Sequence, residues 1–150
     1  MFQVRKILYP TDFSSFSTRA YFYAIGMAEN YRASLVLAYV FTPGVEGQTI
    51  ADREFWRKEL ESVRPTNSKI PVTHVFMEGD PAEEIVRYAG DAGIDVIVMG
   101  THGRTGKERQ LMGSVAERVM RDAPCSVLVV KMPRGSHNVE PQHVALAERA

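Results

Sequence analysis

The feature that most restricts the fold is a set of short apolar runs separated by helix-like patterns. SLVLAYV (34–40), IDVIVMG (94–100) and SVLVVK (126–131) are nearly unbroken runs of Val, Ile and Leu, and VRKILY (4–9) is a shorter one. An alternating strand can leave one face in water, whereas a continuous run must be covered on both faces. Such runs are typical of parallel sheets. A fifth segment, PVTHVFME (71–78), is more mixed and opens on proline, which places it at or near a sheet edge.

Helical spacing fills the intervals. Phe16, Ala20, Ala24, Ala28 and Tyr31 recur three or four residues apart, with Tyr23 and Met27 beside them. Trp56, Leu60 and Val63 repeat the pattern between Asp52 and Arg64. In DPAEEIVRYAGDAG, Asp80 can cap, Pro81 takes the first helical position and Glu83 sits at capping-box spacing. That helix should bury Ala82, Ile85, Val86 and Ala89. A last helix is expected over 113–121, with Val115, Ala116, Val119 and Met120 inward and Pro124 preventing continuation. Alternating strands and helices imply an α/β fold: a single doubly wound domain, a parallel five-stranded sheet with helices on both faces. Residues 41–51 read as a loop. Residues 132–150 read as a C-terminal tail, flexible or partly helical over 142–149.

Composition narrows the function classes. The chain has 150 residues, 18 Lys plus Arg and 18 Asp plus Glu, so its formal net charge is zero. A dedicated nucleic-acid binder usually carries a basic excess. Cys125 is the single cysteine, so no intrachain disulfide forms and nothing suggests secretion. The opening MFQVRKILYPTDF has no signal-peptide core, and no apolar run approaches the roughly 20 residues needed to cross a bilayer. The expectation is a cytoplasmic protein without nucleic-acid or membrane partners.

In open α/β sheets, ligands bind beyond the carboxyl ends of the strands, where strand order reverses. Two stretches qualify, YPTDFSS after the first strand and GTHGRTGKERQLMGS after the fourth. Glycine at 100 and 103 lets amides turn toward an anion without a Cβ in the way. Gly113-Ser114 opens a helix whose first amides and dipole favour negative charge. Arg104, Lys107 and Arg109 add cations. The spacing alone is equally compatible with a strand end and a tight turn. Gly106-Lys107 is followed by Glu108, so a Walker loop is excluded, and YPTDFSS has no glycine, so a dinucleotide fingerprint is excluded.

Gly100-x-x-Gly103, nine residues and then Gly113-Ser114 resemble the G-2x-G-9x-G-[ST] pattern of ATP-binding universal stress proteins. PTDFS, GDPAEEI and GSVAERVMRDAPCSVLVV resemble the same family, in the same order, across roughly residues 3 to 131. The resemblance implies strand order 3-2-1-4-5 and a nucleotide-binding domain over 1–131. It implies ATP, with or without Mg²⁺, held between the loops after strands 1 and 4. Carried over by position, Pro10, Thr11 and Asp12 would line the adenine and ribose side, and Val40 would contact the base. Met99 and Gly100 would lie beside the ribose, and Gly103, Arg104, Gly113, Ser114 and Val115 around the phosphates. The resemblance also implies a homodimer through the last strand, Ser126 to Lys131.

Individual residues keep competing readings. Asp12 can accept hydrogen bonds from a ligand or cap the first helix, where Ser14 or Ser15 would serve equally well. Thr11 can bond a ligand or its own loop. His102 can act as an acid–base group or face solvent. His74, His137 and His143 show no metal-ligand spacing, and Cys125 reads as a structural thiol. No catalytic residue is assigned: Glu108 is the one carboxylate in the long loop, and no Walker-type lysine or acidic metal cluster is present. A nucleotide-dependent regulatory switch is the leading expectation. A slow ATPase and a nucleotide-free dimeric interaction module are the alternatives.

Overall fold

The computed structural model describes residues 2–102 and 112–131. Five parallel strands run β1 (Lys6–Pro10), β2 (Ser34–Phe41), β3 (Val72–Glu78), β4 (Val96–Gly100) and β5 (Ser126–Val130). Four helices lie between them: α1 (Ser15–Tyr31), α2 (Arg53–Ser62), α3 (Pro81–Asp91) and α4 (Ser114–Asp122). The sheet order is β3-β2-β1-β4-β5, as the resemblance implies. The interval 41–51 is less loop-like than expected, because β2 extends through Phe41 and a 3-10 turn covers Ile50–Asp52.

Alternation along each strand divides the core into two layers. Ile7 and Tyr9 of β1, Leu35, Leu37, Tyr39 and Phe41 of β2, and Val96 and Val98 of β4 face α1 and α2. Leu8, Val36, Ala38, Ile97 and Met99 face α3 and α4. Both faces of the central strands are therefore sealed, which is why those runs carry no polar alternation. The expected edge position of the mixed strand is observed, since among the described residues β3 pairs only with β2.

The helices show which apolar residues the sheet takes up. α1 buries Ala20, Tyr21, Ala24 and Ala28 together with Ser17 and Thr18. Tyr31 and Tyr23 stay exposed, at 44% and 46%, although their spacing fits the stripe. Small alanines let the helix approach the sheet closely, and the long rings at the margin of the stripe are left outside. α3 starts as its sequence predicts, with Pro81 at its start and the Asp80 side chain accepting from the Glu83 amide at 3.0 Å. In α4 the buried residues are Ala116 and Val119. Met120, expected inward, is 48% exposed. It lies one step, about 100°, past Val119 around the helix, beyond the strip that the sheet covers.

Candidate functional site

The switch between β1 and β4 is visible in the hydrogen bonds. β1 and β4 pair through Ile7–Val96 and Leu8–Ile97. Past that point each strand bonds away from the other. The Thr11 amide donates to Ala38 O of β2 at 2.8 Å, and the Thr101 amide donates to Val130 O of β5 at 3.2 Å. The carboxyl ends of the two central strands thus turn to different neighbours, the topological position at which open α/β sheets bind ligands.

One wall is the β1–α1 loop, built over a buried polar network. Ser14 caps α1, its hydroxyl accepting from the Ser17 amide at 3.2 Å. Asp12 is therefore not the cap. Its Oδ1 accepts from the Ser14 amide at 3.0 Å and braces the loop. Thr11 is 8% exposed, and its hydroxyl shares a 2.9 Å bond with Ser17 Oγ and accepts from the Phe13 amide at 3.0 Å. The open choice at Thr11 thus includes its own loop. Beneath them the Tyr9 hydroxyl donates to Ser17 O at 2.6 Å. Burial pushes the Tyr9 phenol well above its ordinary value. Bonds to Thr11 and Ser17 pull it partly back, and the charge of Asp12 adds to the rise.

Phe13 is the residue that sequence reasoning missed in this wall. Its φ is 64°, left-handed backbone that a bulky side chain rarely adopts. The conformation costs about 1–2 kcal/mol. Its ring stacks on Trp56 at 5.8 Å and lies 5.6 Å from Tyr39. Each aromatic pair contributes about 0.5–1.5 kcal/mol beyond burial, so the two contacts offset the strain. No sequence signal marks such a position, because propensity treats phenylalanine as a strand former.

The opposite wall begins where β4 ends. Gly100 is fully enclosed, and a Cβ there would lie 2.5 Å from Phe16 O, a backbone atom of α1. Its glycine is therefore required for the close approach of β4 to the first turn of α1. Next, the ring of His102 lies 5.1 Å from Phe16, and its Nδ1 is 3.1 Å from Thr101 Oγ1. His102 is half-buried against α1 instead of facing open solvent. Gly103 and Arg104, with Lys107 and Arg109, lie outside the described residues.

The chain re-enters the site at the start of α4. The Gly113 amide donates to Thr101 O at 2.6 Å, which ties the helix start to the end of β4. Gly113 occupies the cap position and supplies no side-chain acceptor. The first-turn amides of an α-helix, here at Ser114 and Val115, have no acceptor within their own helix. Ser114 is exposed and Val115 half-buried. Val40, at the end of β2, Met99, at the end of β4, and Val115 all belong to one apolar cluster on the α3/α4 side. Pro10 is buried as the last residue of β1. The structure thus gathers Pro10, Thr11, Asp12, Met99, Gly100, Gly113, Ser114 and Val115 at the carboxyl end of β1 and β4, with Val40 beside them on β2.

A separate groove of about 240 Å³ runs between α3 and α4, lined by Ala82, Glu83, Val86, Arg87, Arg118 and Asp122. Its cations are engaged: Arg118 bonds Asp80 at 3.0 Å, and Arg87 bonds Glu84 at 2.6 Å and Asp91 at 3.1 Å. It is made of helix faces and offers no strand-end amides. No cluster of three or more potential metal ligands occurs among the described residues. No helix among them is long and apolar enough to cross a membrane.

Known proteins share this layout. The model of the universal stress protein family matches residues 3–131. Universal stress protein MJ0531 of Methanocaldococcus jannaschii is 40% identical over 142 residues, covering 87% of this chain and 84% of its own. Protein MJ0577 of the same organism has a solved structure with TM-score 0.69 and 29% identity, covering 89% of this chain and all of its own. A universal stress protein solved in complex with cAMP has TM-score 0.65 at 24% identity, covering 87% and 98% of the two chains. With the family model spanning nearly the whole described chain, this protein belongs to the universal stress protein family.

Proposed function

We propose that this protein binds an adenine nucleotide in the crevice between β1 and β4, and that it acts as an ATP-dependent regulatory switch. The observation that carries the reading is the parting of Thr11 toward β2 and Thr101 toward β5, which opens the sheet at its switch point. The residues suit such a ligand. Val40 offers an apolar contact for a base, with Met99 beside the ribose position in the same apolar cluster. Asp12 is a carboxylate acceptor at the loop rim. The start of α4 offers amides and a positive dipole end to phosphate. Arg104, Lys107 and Arg109 supply the sequence's cations for a triphosphate, with or without Mg²⁺. A relative solved with cAMP supports the adenine class.

Bound ATP stabilises the folded chain by mass action, and the difference between the bound and free states is what a switch reads. Slow ATP hydrolysis is a secondary reading. Timed ADP release against an Asp12→Ala control measures it. Homodimerisation through β5 is part of the proposal, since Val127, Leu128 and Val129 on that edge are only half-buried.

Gly113→Val tests the site and the interface together. A branched side chain at the helix start crowds the space that a phosphate needs, so ATP binding in titration calorimetry should be lost. The mass in solution should remain that of the wild type. Wild-type ATP affinity in this variant would refute the phosphate assignment.

A further inference from the structure

We propose that Phe13 is a positioning residue of the nucleotide site, and that the rings of Tyr39 and Trp56 clamp it so that the loop carrying Thr11 and Asp12 keeps one arrangement. The proposal rests on the nucleotide reading above.

Among the described residues, Phe13 and Arg32 are the two non-glycine positions with positive φ. Arg32 has an ordinary reason, because it ends α1 as a left-handed cap with its amide donating to Ala28 O. Phe13 ends nothing. It sits one residue before Ser14, the cap of α1. Two loop hydrogen bonds flank it. The Phe13 amide donates to Thr11 Oγ1, and the Ser14 amide, on its other side, donates to Asp12 Oδ1. Rotating residue 13 to an ordinary φ turns the Ser14 amide away from Asp12 and releases its carboxylate. Strained backbone that the surroundings over-determine is characteristic of ligand clamps.

The surroundings that hold it belong to other elements. Trp56 of α2 stacks on Tyr39 of β2 at 5.5 Å and 14°, and Phe13 meets both rings. The Trp56 indole is fixed in turn by its N–H donating to Gly47 O at 2.9 Å. Tyr39 is 2% exposed within the sheet. The clamp thus reaches the loop from the α1/α2 core layer, whereas the nucleotide is read by residues at the strand ends. Pre-organisation of this kind lowers the ordering cost that binding would otherwise carry.

The test is ATP titration calorimetry on wild type, Phe13→Gly, Phe13→Tyr, Trp56→Ala and the double variant Phe13→Gly/Trp56→Ala, with a melting curve for each without nucleotide. Glycine accepts positive φ freely but also every other φ, so the loop is released without strain. Phe13→Gly should weaken ATP binding about tenfold or more, the scale expected for lost pre-organisation, while still melting cooperatively. Phe13→Tyr should bind as wild type. Trp56→Ala should weaken binding in the same direction. The double variant should be no worse than the poorer single one, because both remove one clamp. Equal affinity of wild type and Phe13→Gly overturns the proposal and leaves the nucleotide reading intact. Fully additive losses overturn the clamp in favour of direct ring–nucleotide contact. A wild type that binds none of ATP, ADP, AMP or cAMP overturns the nucleotide reading and this proposal with it. If Phe13→Gly does not melt cooperatively, Phe13→Leu takes its place under the same criteria.

Discussion

Tyr9 shows how much a single buried hydroxyl does beneath the loop. Its bond to Ser17 O joins β1 to the first turn of α1. Tyr9→Phe should cost about 1 kcal/mol, the usual net value of such a bond. The pH dependence has a definite sign. Burial raises the folded-state pKa of Tyr9, so folding favours the neutral phenol. Its contribution is complete below tyrosine's ordinary value near 10 and is lost as pH rises beyond it. Urea unfolding at about pH 8 and about pH 11, on either side of that value, should show a larger loss for the wild type than for Tyr9→Phe. Equal losses would mean that Tyr9 does not carry the linkage. At this scale the sequence is only partly legible. The spacing offers Asp12, Ser14 and Ser15 as cap candidates but cannot rank them, because each side chain can accept from an amide two or three residues on. The left-handed Phe13 is invisible, since it is dictated by rings more than 20 positions away in the chain.

At the scale of elements, the approach of β4 to α1 is the tightest constraint. A methyl at Gly100 would collide with the carbonyl of Phe16, an atom that cannot swing aside. Gly100→Ala should therefore destabilise the fold by about 1–3 kcal/mol, as overpacking commonly does. Denaturation midpoints would report it, and an unchanged midpoint would show that α1 can shift away. This glycine is legible as important from sequence, but for another reason: the motif suggests freedom for a phosphate loop, whereas the structure shows it filling a strand–helix contact. Strands were the most legible elements, because burial on both faces removes polar residues from β2 and β4. The inward sides of α1 and α4 were less so. Tyr31 and Met120 fit a 3.6-residue repeat, yet the sheet covers only the narrow alanine-rich strip beside them.

For the whole molecule, strand order 3-2-1-4-5 decides where a ligand can sit. Local pattern identifies α/β alternation, but it cannot order the strands, and the order entered through the family resemblance. The long loop and tail expectations, Gly103 and Arg104 included, lie outside the described residues. The central claim is that an adenine nucleotide occupies the crevice between β1 and β4. Amide chemical shifts of the isotope-labelled protein, followed through an ATP titration, test it most directly. The account predicts saturable shifts concentrated at Thr11 to Ser14, Val40, Gly100 to His102 and Gly113 to Val115. Shifts confined to the α3–α4 groove around Ala82, Val86 and Arg118, or no shifts at millimolar ATP, would contradict it.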